Sequence, residues 1–335
     1  MVKAELKLEE AKVVLTVDGE LFTEYRYGHW VCRPYFYPVL TPSGQSLTRG
    51  YPMETFAGEA EDHYHHRGMY VAHGEVNGFN LWDEGVGHGA MLQRGEPVVG
   101  TIDDAVVIHA TVDWFGPEGE RLLEEWRSIQ IQVDGDFRII DHRSEFRARY
   151  GDVTFGDTKE GGLFSIRVPT SMDAKEEGRI ENSEGQVFDS GQGEETTWGV
   201  QAAWVDYSGP LANGEQWGHT VVDHPANPRY PTYWHVRGYG LFTALIIGGV
   251  GYVLFRGRVV SPIQAIQGGT SRIAAGEFEH RLEVEGPREL EVLTDALNEM
   301  AHDLDEAGAF ESCEHAVHDA PGQARGPFDG RSKRQ

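Results

Sequence analysis

An uncharged stretch of 18 residues, GYGLFTALIIGGVGYVLF at 238–255, constrains the fold of this chain more than any other feature. It is flanked by Arg237 on one side and by Arg256 and Arg258 on the other. As a helix rising about 1.5 Å per residue, it would extend roughly 27 Å, close to the roughly 30 Å hydrocarbon core of a bilayer. The stretch therefore predicts a single transmembrane helix. The Gly248-Gly249 pair within it leaves a second interpretation open, a buried hairpin of two apolar strands.

Residues 1–237 follow a different pattern, in which apolar and polar residues alternate between turns rich in Gly, Pro, Asn and Asp. The alternation is clearest in KVVLTVDGELFTEYRY, AVVIHATVDWF, RSIQIQVDGDFRIIDHRSEFRARY and GLFSIRVP. Such segments are typical of strands, and the Val-Asp-Gly steps at 17–19 and 133–135 predict hairpin turns. Many short strands without a helical period predict a mainly β domain, a large sandwich or barrel.

The charge of the chain limits its partners. Asp and Glu total 54 against 29 Lys and Arg, which gives a formal net charge of -25. An average surface of this charge repels nucleic acid and anionic lipid headgroups. We therefore expect no nucleic-acid partner and a neutral or cationic ligand, and sugars are neutral. Two cysteines, Cys32 and Cys313, are too few for a disulfide scaffold or a thiolate metal site.

A helical pattern begins after Arg256. Apolar or small residues recur at spacings of three and four in two sets, which are Ile263, Ile266, Thr270 and Ile273, and then Leu290, Leu293, Leu297, Met300 and Leu304. This is the a/d pattern of a coiled coil. Two short amphipathic helices cannot bury their apolar stripes alone, so we expect a four-helix bundle formed by two chains. A simple coiled-coil dimer or an antiparallel hairpin would show the same spacing.

The segment RVVSPIQAIQGGTSRIAAGEFEHRLEVEGPRELEVLTDALNEMAHDL resembles the HAMP linker of bacterial sensor kinases and chemoreceptors. The matching positions are Pro262, Gly276, Phe278, Glu289 and the Asn298-Glu299-Met300 step. The resemblance implies a HAMP coiled-coil pair at 256–305 that forms a homodimer and relays motion between two packing states.

In that family the linker lies on the cytoplasmic side of the bacterial inner membrane, directly after a transmembrane helix. Residues 306–335 are polar and predict a disordered tail, and no kinase or methyl-accepting segment is visible. The N-terminus lacks the apolar core of a signal peptide, so the side of the membrane that residues 1–237 occupy is left open.

Chemically versatile side chains cluster in two segments of the β-rich region. EDHYHHRG contains His63, His65, His66 and Arg67, and VVDHPANPRYPTYWHVRGYG contains His224, Arg229, Trp234 and His235. Alternation along a strand would put His63 and His65 on one face and His66 on the other. Histidine, carboxylate and aromatic residues favour proton transfer on a sugar ring, and they equally suit a mononuclear metal. Between two predicted strands, Glu160 could reach a ligand from a loop.

A second resemblance covers about residues 15–243. RPYFYPVLTPSG, DHYHHRG, GEVNGFNLW, VTFGDTKEGGLFSIRVP, AAWVDYSG and DHPANPRYPTYWHVRGYGLF resemble the bacterial PmoA family of methane-oxygenase-like proteins. The resemblance implies a large β-sandwich similar to the galactose-mutarotase type. Because members of the family tend to be found with sugar-catabolic oxidoreductases, it also implies a carbohydrate-like ligand. The resemblance implies a ligand site formed by residues of these motifs, which are His65, His66, Arg67, Glu160, Asp206, His224, Arg229 and His235. The family pattern departs at about Thr243, where closing strands should follow, so we expect an exposed sheet edge there.

Three hypotheses for the function result. The first is a membrane-tethered signalling protein whose sandwich binds a carbohydrate-like ligand and whose HAMP helices relay the state. The second is a carbohydrate-processing hydrolase, lyase or epimerase. Its catalytic candidates are His65, His66, Glu160 and His224, and its ligand-binding candidates are Arg67, Asp206, Arg229, Trp234 and His235. The third is a truncated sandwich fused by accident to a HAMP segment. The sequence indicates no particular cofactor or metal.

Overall fold

The computed structural model describes residues 3–134, 137–158, 162–245, 272, 281–282 and 294–302. The chain divides into two units, residues 1–252 and 253–335. The described part of the first unit contains a 3-10 turn (Thr170–Met172), a short helix α1 (Glu194–Thr197) and strands β1 to β18. The strands are β1 (Ala4–Glu9), β2 (Lys12–Val17), β3 (Glu20–Arg26), β4 (Tyr35–Val39), β5 (Met69–Val71), β6 (Ala90–Gln93), β7 (Val98–Ile102), β8 (Ala105–Phe115), β9 (Arg121–Asp134), β10 (Phe137–Arg147), β11 (Phe164–Arg167), β12 (Arg179–Asn182), β13 (Val187–Asp189), β14 (Val200–Gln201), β15 (Trp204–Pro210), β16 (Gln216–Val222), β17 (Tyr233–Arg237) and β18 (Leu241–Leu245).

These strands form three antiparallel sheets. The large sheet has the order β1-β2-β3-β4-β5-β11-β18-β17-β14. The second sheet has the order β10-β9-β8-β6, with β7 also paired to β8, and the small sheet has the order β13-β12-β15-β16. The mainly β prediction for this part of the chain is therefore confirmed.

The alternating segments of the sequence become strands as predicted. The first Val-Asp-Gly step closes the β2–β3 hairpin, where Asp18 and Gly19 have φ values of 52° and 86°. Positive φ at both central positions is what a type I′ turn requires. The second step joins β9 to β10, whose register pairs Asp134 with Phe137, and the two residues between them lie outside the described residues.

One face of the large sheet is apolar. In register across β4, β5, β11, β18 and β17, it carries Phe36, Met69, Ile166, Phe242 and Val236, all of them buried. The same core includes Ile108 and Ile129 from the second sheet and Ile180 and Val205 from the small sheet. Side chains from three sheets thus share one core, as in a β-sandwich. The more specific likeness to the galactose-mutarotase type stays a prediction.

The opposite face of the same strands is polar. The row next to the apolar one consists of Tyr35, Tyr70, Ser165, Thr243 and His235. A second row on this face lies two residues further along the strands. In it, Leu241 of β18 pairs with Arg167 of β11 on one side and with Arg237 of β17 on the other. Successive side chains of a strand point to opposite faces, so these hydroxyl, imidazole and guanidinium groups share one side of the sheet. We refer to it as the polar face.

The predicted transmembrane helix at 238–255 is wrong in its first part, because Leu241–Leu245 is strand β18. This strand pairs with β11 on one side and with β17 on the other. A strand here agrees with the first half of the hairpin interpretation, whose Gly248-Gly249 turn and second apolar run lie outside the described residues. The rest of the stretch, 246–255, lies outside the described residues. Among the described helices, none is both long and apolar enough to cross a bilayer.

The position of β18 also corrects two related predictions. The sheet does not stop at an exposed edge near Thr243, because the described large sheet ends at β1 and β14. The β-rich region extends beyond its predicted boundary at residue 237, at least to Leu245.

The described part of the second unit is small. Residues 294–302 are helical, and Asn298 ties this helix to the connector before it. Its amide donates to the Leu282 carbonyl oxygen at 2.9 Å and accepts from the Leu282 N–H at 2.8 Å. Leu282 packs with Leu297 and the buried Ala301, whereas Met300 is 47% exposed in the single chain. The predicted residues Leu290, Leu293 and Leu304 lie outside the described residues.

Candidate functional site

The histidine loop, residues 62–67, leads into β5 and contacts the polar face of the large sheet. Gly68 makes this entry possible, because its φ of 58° suits glycine and a Cβ there would lie 2.3 Å from the Phe36 carbonyl oxygen. The Arg167 backbone N–H donates to the Gly68 carbonyl oxygen at 2.9 Å, which fixes the loop end against β11. The loop is therefore anchored directly beside Arg167.

The three histidine rings lie together. His63 stacks on His66 with a centroid distance of 4.9 Å and an interplanar angle of 6°, and His65 meets the edge of His66 at 4.5 Å. The prediction that His66 would point away from the other two is wrong, because this segment is a turn rather than a strand. His63 has a φ of 43°, which is uncommon for a residue other than glycine. Such strained positions cluster at functional sites.

Two buried arginines anchor the histidine loop by donating hydrogen bonds to the Asp62 carboxylate. Arg49 and Arg167 are each at most 1% exposed, and both donate to Asp62 Oδ1, Arg167 at 2.9 Å. Arg49 also donates to the His63 carbonyl oxygen at 3.0 Å, which supports the unusual backbone there. Burial opposes ionisation of Asp62, but Arg167, His63 and Arg49 outweigh it and lower the pKa of this carboxyl. The carboxylate itself is 42% exposed, so it faces both the guanidinium pair and solvent.

The environment keeps the inner histidines neutral. Burial, followed by His65 and Arg167, lowers the pKa of His66 well below its ordinary value. Its Nδ1 lies 3.4 Å from an Arg167 guanidinium nitrogen, which can only donate, so Nδ1 accepts and the ring proton sits on Nε2. Burial also lowers the pKa of His65 to about 4, although Asp83 opposes the shift. His65 Nδ1 is 3.1 Å from Asp83 Oδ1, but the geometry is not that of a hydrogen bond.

Arg67, predicted to bind ligand, is instead engaged within the protein. Its Nε and one terminal nitrogen donate to the buried Glu84 carboxylate at 2.8 Å each, a bidentate pair. The fully buried Arg33 lies 3.6 Å from the same carboxylate and donates to the Trp82 carbonyl oxygen at 2.6 Å. This pair stabilises the segment that follows β5, and the ligand-binding role of Arg67 stays a prediction.

Tyr239 extends the site across β18 to β17. Its ring stacks on His63 with centroids 5.4 Å apart and an angle of 4°. Three cationic groups surround it, with Arg167 Cζ at 4.8 Å, Arg237 Cζ at 5.6 Å and Lys175 Nζ at 5.9 Å from the ring centroid. We refer to Tyr239 and these three residues as the tyrosine cluster. Together with the histidine loop it forms one continuous group of aromatic, acidic and basic side chains.

Asp173 is the second carboxyl group in this field. Burial raises its pKa to about 6, against the opposing effect of Arg167 and with a further contribution from Asp62. Its Oδ1 is buried and has no hydrogen-bond partner among the described residues. A carboxyl group with a raised pKa of about 6 in the field of a buried arginine is a candidate for proton transfer.

The other predicted site residues lie elsewhere. His224 is exposed in the loop between β16 and β17, where its Nδ1 accepts from the Ala226 N–H at 3.1 Å. Arg229 lies in the same loop with a φ of 64°. Asp206 lies on the small sheet, where Thr220 donates to it at 2.7 Å, in a shallow depression also lined by Trp204.

The β17 residues differ from each other. Trp234 lies in the core, and its indole N–H donates to the Ala202 carbonyl oxygen at 2.8 Å. His235 lies on the polar face, 8% exposed, and its Nδ1 accepts from the Trp198 indole N–H at 3.3 Å. Glu160 lies outside the described residues. The catalytic and ligand-binding roles assigned to these positions stay predictions.

Sequence reasoning missed Arg49, Arg167, Asp173 and Tyr239, because their separation along the chain conceals that they meet. Arg167 carries a usable signal. It is the one charged residue in a short, otherwise uncharged strand, FSIR, and charged residues are rarely fully buried unless they are paired. Among the described residues, no group of three His, Cys, Asp or Glu side chains is arranged to hold a metal ion.

Comparison with known proteins gives two family matches. The model of a family of unknown function (DUF6807) matches residues 12–276, and the HAMP domain model matches residues 254–306. The second match confirms the HAMP resemblance, and the two matches overlap at 254–276. The resemblance to the PmoA family has no counterpart among these matches. No curated protein and no solved structure is detectably similar to the chain.

Proposed function

This chain belongs to the DUF6807 family, and from its fold and its HAMP domain we propose that it is a signalling protein whose sandwich recognises a small carbohydrate-like ligand. The HAMP domain links the chain to signal transduction. The β-sandwich supplies the part that senses, and its binding site is the histidine loop with the tyrosine cluster.

The observation that carries the ligand-binding part is the stack of His63 on Tyr239 beside Arg167. Aromatic side chains next to charged and hydrogen-bonding groups suit a ring-shaped polar ligand, since the aromatic groups contact its apolar parts and the polar groups orient its oxygens. Asp62 is half-exposed at the same place and offers a carboxylate to hydroxyl groups. The resemblance to PmoA-family proteins, which tend to be found with sugar-catabolic oxidoreductases, supports a sugar as the ligand.

The relay part of the proposal rests on the HAMP helices. Two copies of the chain pair through these helices, and a change of packing between them transmits the state of the sandwich. Met300 belongs to the predicted a/d stripe and is 47% exposed in the single chain, as expected for a side chain that a second copy covers. Association with the bacterial inner membrane, with the HAMP helices on the cytoplasmic side, is part of the same proposal and follows from the HAMP resemblance.

Binding is tested on the full-length chain with a panel of neutral hexoses and pentoses. A ligand that binds only the folded state raises the unfolding midpoint. At a free ligand concentration of about 100 times Kd, it adds about 2.7 kcal/mol to the free energy of unfolding. We expect one sugar to raise the midpoint of the wild type, and His63→Ala to abolish the shift. His109→Ala removes an exposed histidine from the second sheet and is the matched control, which keeps the shift. A panel without any shift, or a shift unaffected by His63→Ala, would refute binding at this site.

A second candidate, a carbohydrate-processing enzyme, is favoured by one observation. Asp173 has a pKa of about 6 within the field of Arg167 and Asp62, and the neutral His66 lies against the same arginine. A group that gains and loses protons near neutrality suits acid or base catalysis. If the full-length chain turns over a sugar, Asp173→Asn should abolish turnover while binding remains. Full turnover by this variant would remove Asp173 from the mechanism.

A further inference from the structure

The tyrosine cluster concentrates positive charge in a chain whose formal net charge is -25. Arg167, Lys175 and Arg237 all lie within 5.9 Å of the Tyr239 ring centroid, and Arg49 shares the Asp62 oxygen with Arg167. Like charges gathered so closely repel one another, and the pKa of Arg49 is lowered by burial first and then by Arg167. These cationic side chains lie next to the polar face, and a negatively charged ligand bound there would reduce their mutual repulsion.

The carboxyl groups near these cations include Asp62, Glu194 and Asp173. The buried Asp173 Oδ1 lies in the field of Arg167 and Lys175 without making a hydrogen bond to the described residues. Asp62 serves two guanidinium groups through a single oxygen atom. Arg237 Nε lies 3.4 Å from Glu194 Oε1, which is buried and makes no hydrogen bond. Lys175, an exposed residue, forms no ion pair with the described residues.

Arg167 carries the second, independent observation. Its side chain is 1% exposed, and its Nε has no hydrogen-bond partner among the described residues. An unpaired donor on a buried charged group destabilises the folded state, and native proteins rarely leave one without a reason. A carboxylate or another oxyanion bound beside Tyr239 would give Arg167 a further acceptor.

Resting on the proposed function, we propose that the ligand is a carboxylated sugar of the uronic acid class, rather than a neutral one. Its carboxylate is received by Arg167, Lys175 and Arg237, and its ring lies along the His63–Tyr239 stack. The half-exposed Asp62 then accepts hydroxyl protons of the same ring. This revises the expectation of a neutral or cationic ligand, which followed from the average charge of the chain and not from the charge at the site.

The test compares D-galacturonate with D-galactose, which differ at the carboxylate, on the full-length chain by isothermal titration. We expect galacturonate to bind at least about tenfold more tightly, since a charge-assisted hydrogen bond contributes about 1.5 to 3 kcal/mol. Arg237→Gln and Lys175→Gln should each weaken galacturonate binding about five- to tenfold and weaken galactose binding by clearly less, because galactose has no carboxylate for them to receive. Arg179→Gln removes an exposed arginine of the small sheet and serves as the matched control, with no effect on either ligand.

The outcomes separate this inference from the proposed function. Galactose bound as tightly as galacturonate, with both lost in His63→Ala, would overturn the carboxylate assignment and leave sugar binding intact. Acetate bound as tightly as galacturonate would show a plain anion site and overturn the sugar class. If neither sugar binds, both the inference and the proposed function fail. Galacturonate affinity unaffected by Arg237→Gln and Lys175→Gln would place the carboxylate elsewhere and equally overturn the inference.

Discussion

Phe242→Ala tests the most consequential feature of the fold, the placement of β18 inside the large sheet. The Phe242 side chain is 1% exposed, lies in register with Ile166 and Val236, and has its ring centroid 5.7 Å from that of Tyr207. Replacing a fully buried phenylalanine by alanine removes its transfer free energy and leaves a cavity, at a cost of about 3 to 5 kcal/mol. We expect the sandwich of Phe242→Ala to lose that much free energy of unfolding.

Urea unfolding followed by tryptophan fluorescence measures this in the full-length chain. All 8 tryptophans lie between residues 30 and 234, so the signal reports on the sandwich alone. With a slope of about 3 kcal/mol/M, the upper end of the usual range, the midpoint should fall by about 1 to 1.7 M. Phe137→Ala is the matched control, because Phe137 is 73% exposed, and its midpoint should change little.

The reasoning would be refuted if the two variants behaved alike. A transmembrane helix beginning at residue 238 would take Phe242 out of the soluble core, and truncating it would then leave tryptophan-detected unfolding unchanged. A fall of more than about 1 M for Phe242→Ala, with an unshifted control, excludes that arrangement.

Three further predictions concern charge and the second unit. Glu125→Gln should lower the urea midpoint by the equivalent of about 3 to 5 kcal/mol, because it leaves the buried Arg127 without its ionic partner. Asp173 has a folded-state pKa of about 6, above its unfolded value, so its ionisation costs stability at higher pH and the cost vanishes below about pH 4. Asp173→Asn should therefore raise the midpoint at about pH 8 and change it little at about pH 4, and equal shifts at both values would contradict the raised pKa. In the wild type the Leu282 N–H donates to Asn298 Oδ1, so Asn298→Ala should abolish hydrogen-exchange protection of the Leu282 amide. Unchanged protection would show that another group accepts this hydrogen bond.

The strands of the sandwich could be predicted from the sequence because alternation and turn chemistry are local properties. AVVIHATVDWF becomes β8 with the same bounds, and the Asp18-Gly19 turn has the backbone that its residues favour. The error at β18 has a physical reason as well. Leu241, Phe242 and Thr243 are all buried, since the strand is covered on both faces, and such a strand loses its alternation. Hydropathy alone cannot distinguish a fully buried strand from the first turns of a membrane helix.

The candidate site could be predicted only in part. The sequence indicated His63, His65 and His66, because three histidines in four residues are conspicuous. It gave no indication that Arg49, Arg167 and Tyr239 converge on them, since that contact depends on the pairing of β5 with β11 and of β11 with β18. Strand order across such distances is a property of the whole sheet. The formal net charge of the chain was a poor guide to the ligand for a similar reason, because a sum over all residues conceals a local cluster of positive charge.

Because β18 has a partner strand on each side, its place in the sheet also limits how such a chain can arise by recombination. A crossover before Leu245 would have to supply a strand whose residues alternate in step with β11 and β17 at once. Shifted by a single residue, it would exchange Phe242 with Thr243, moving a phenyl ring to the polar face and a hydroxyl into the core. Only junctions downstream of β18 preserve the sheet without such a coincidence. An exchange of the HAMP segment that keeps the sandwich intact therefore has to leave every residue up to Leu245 in place.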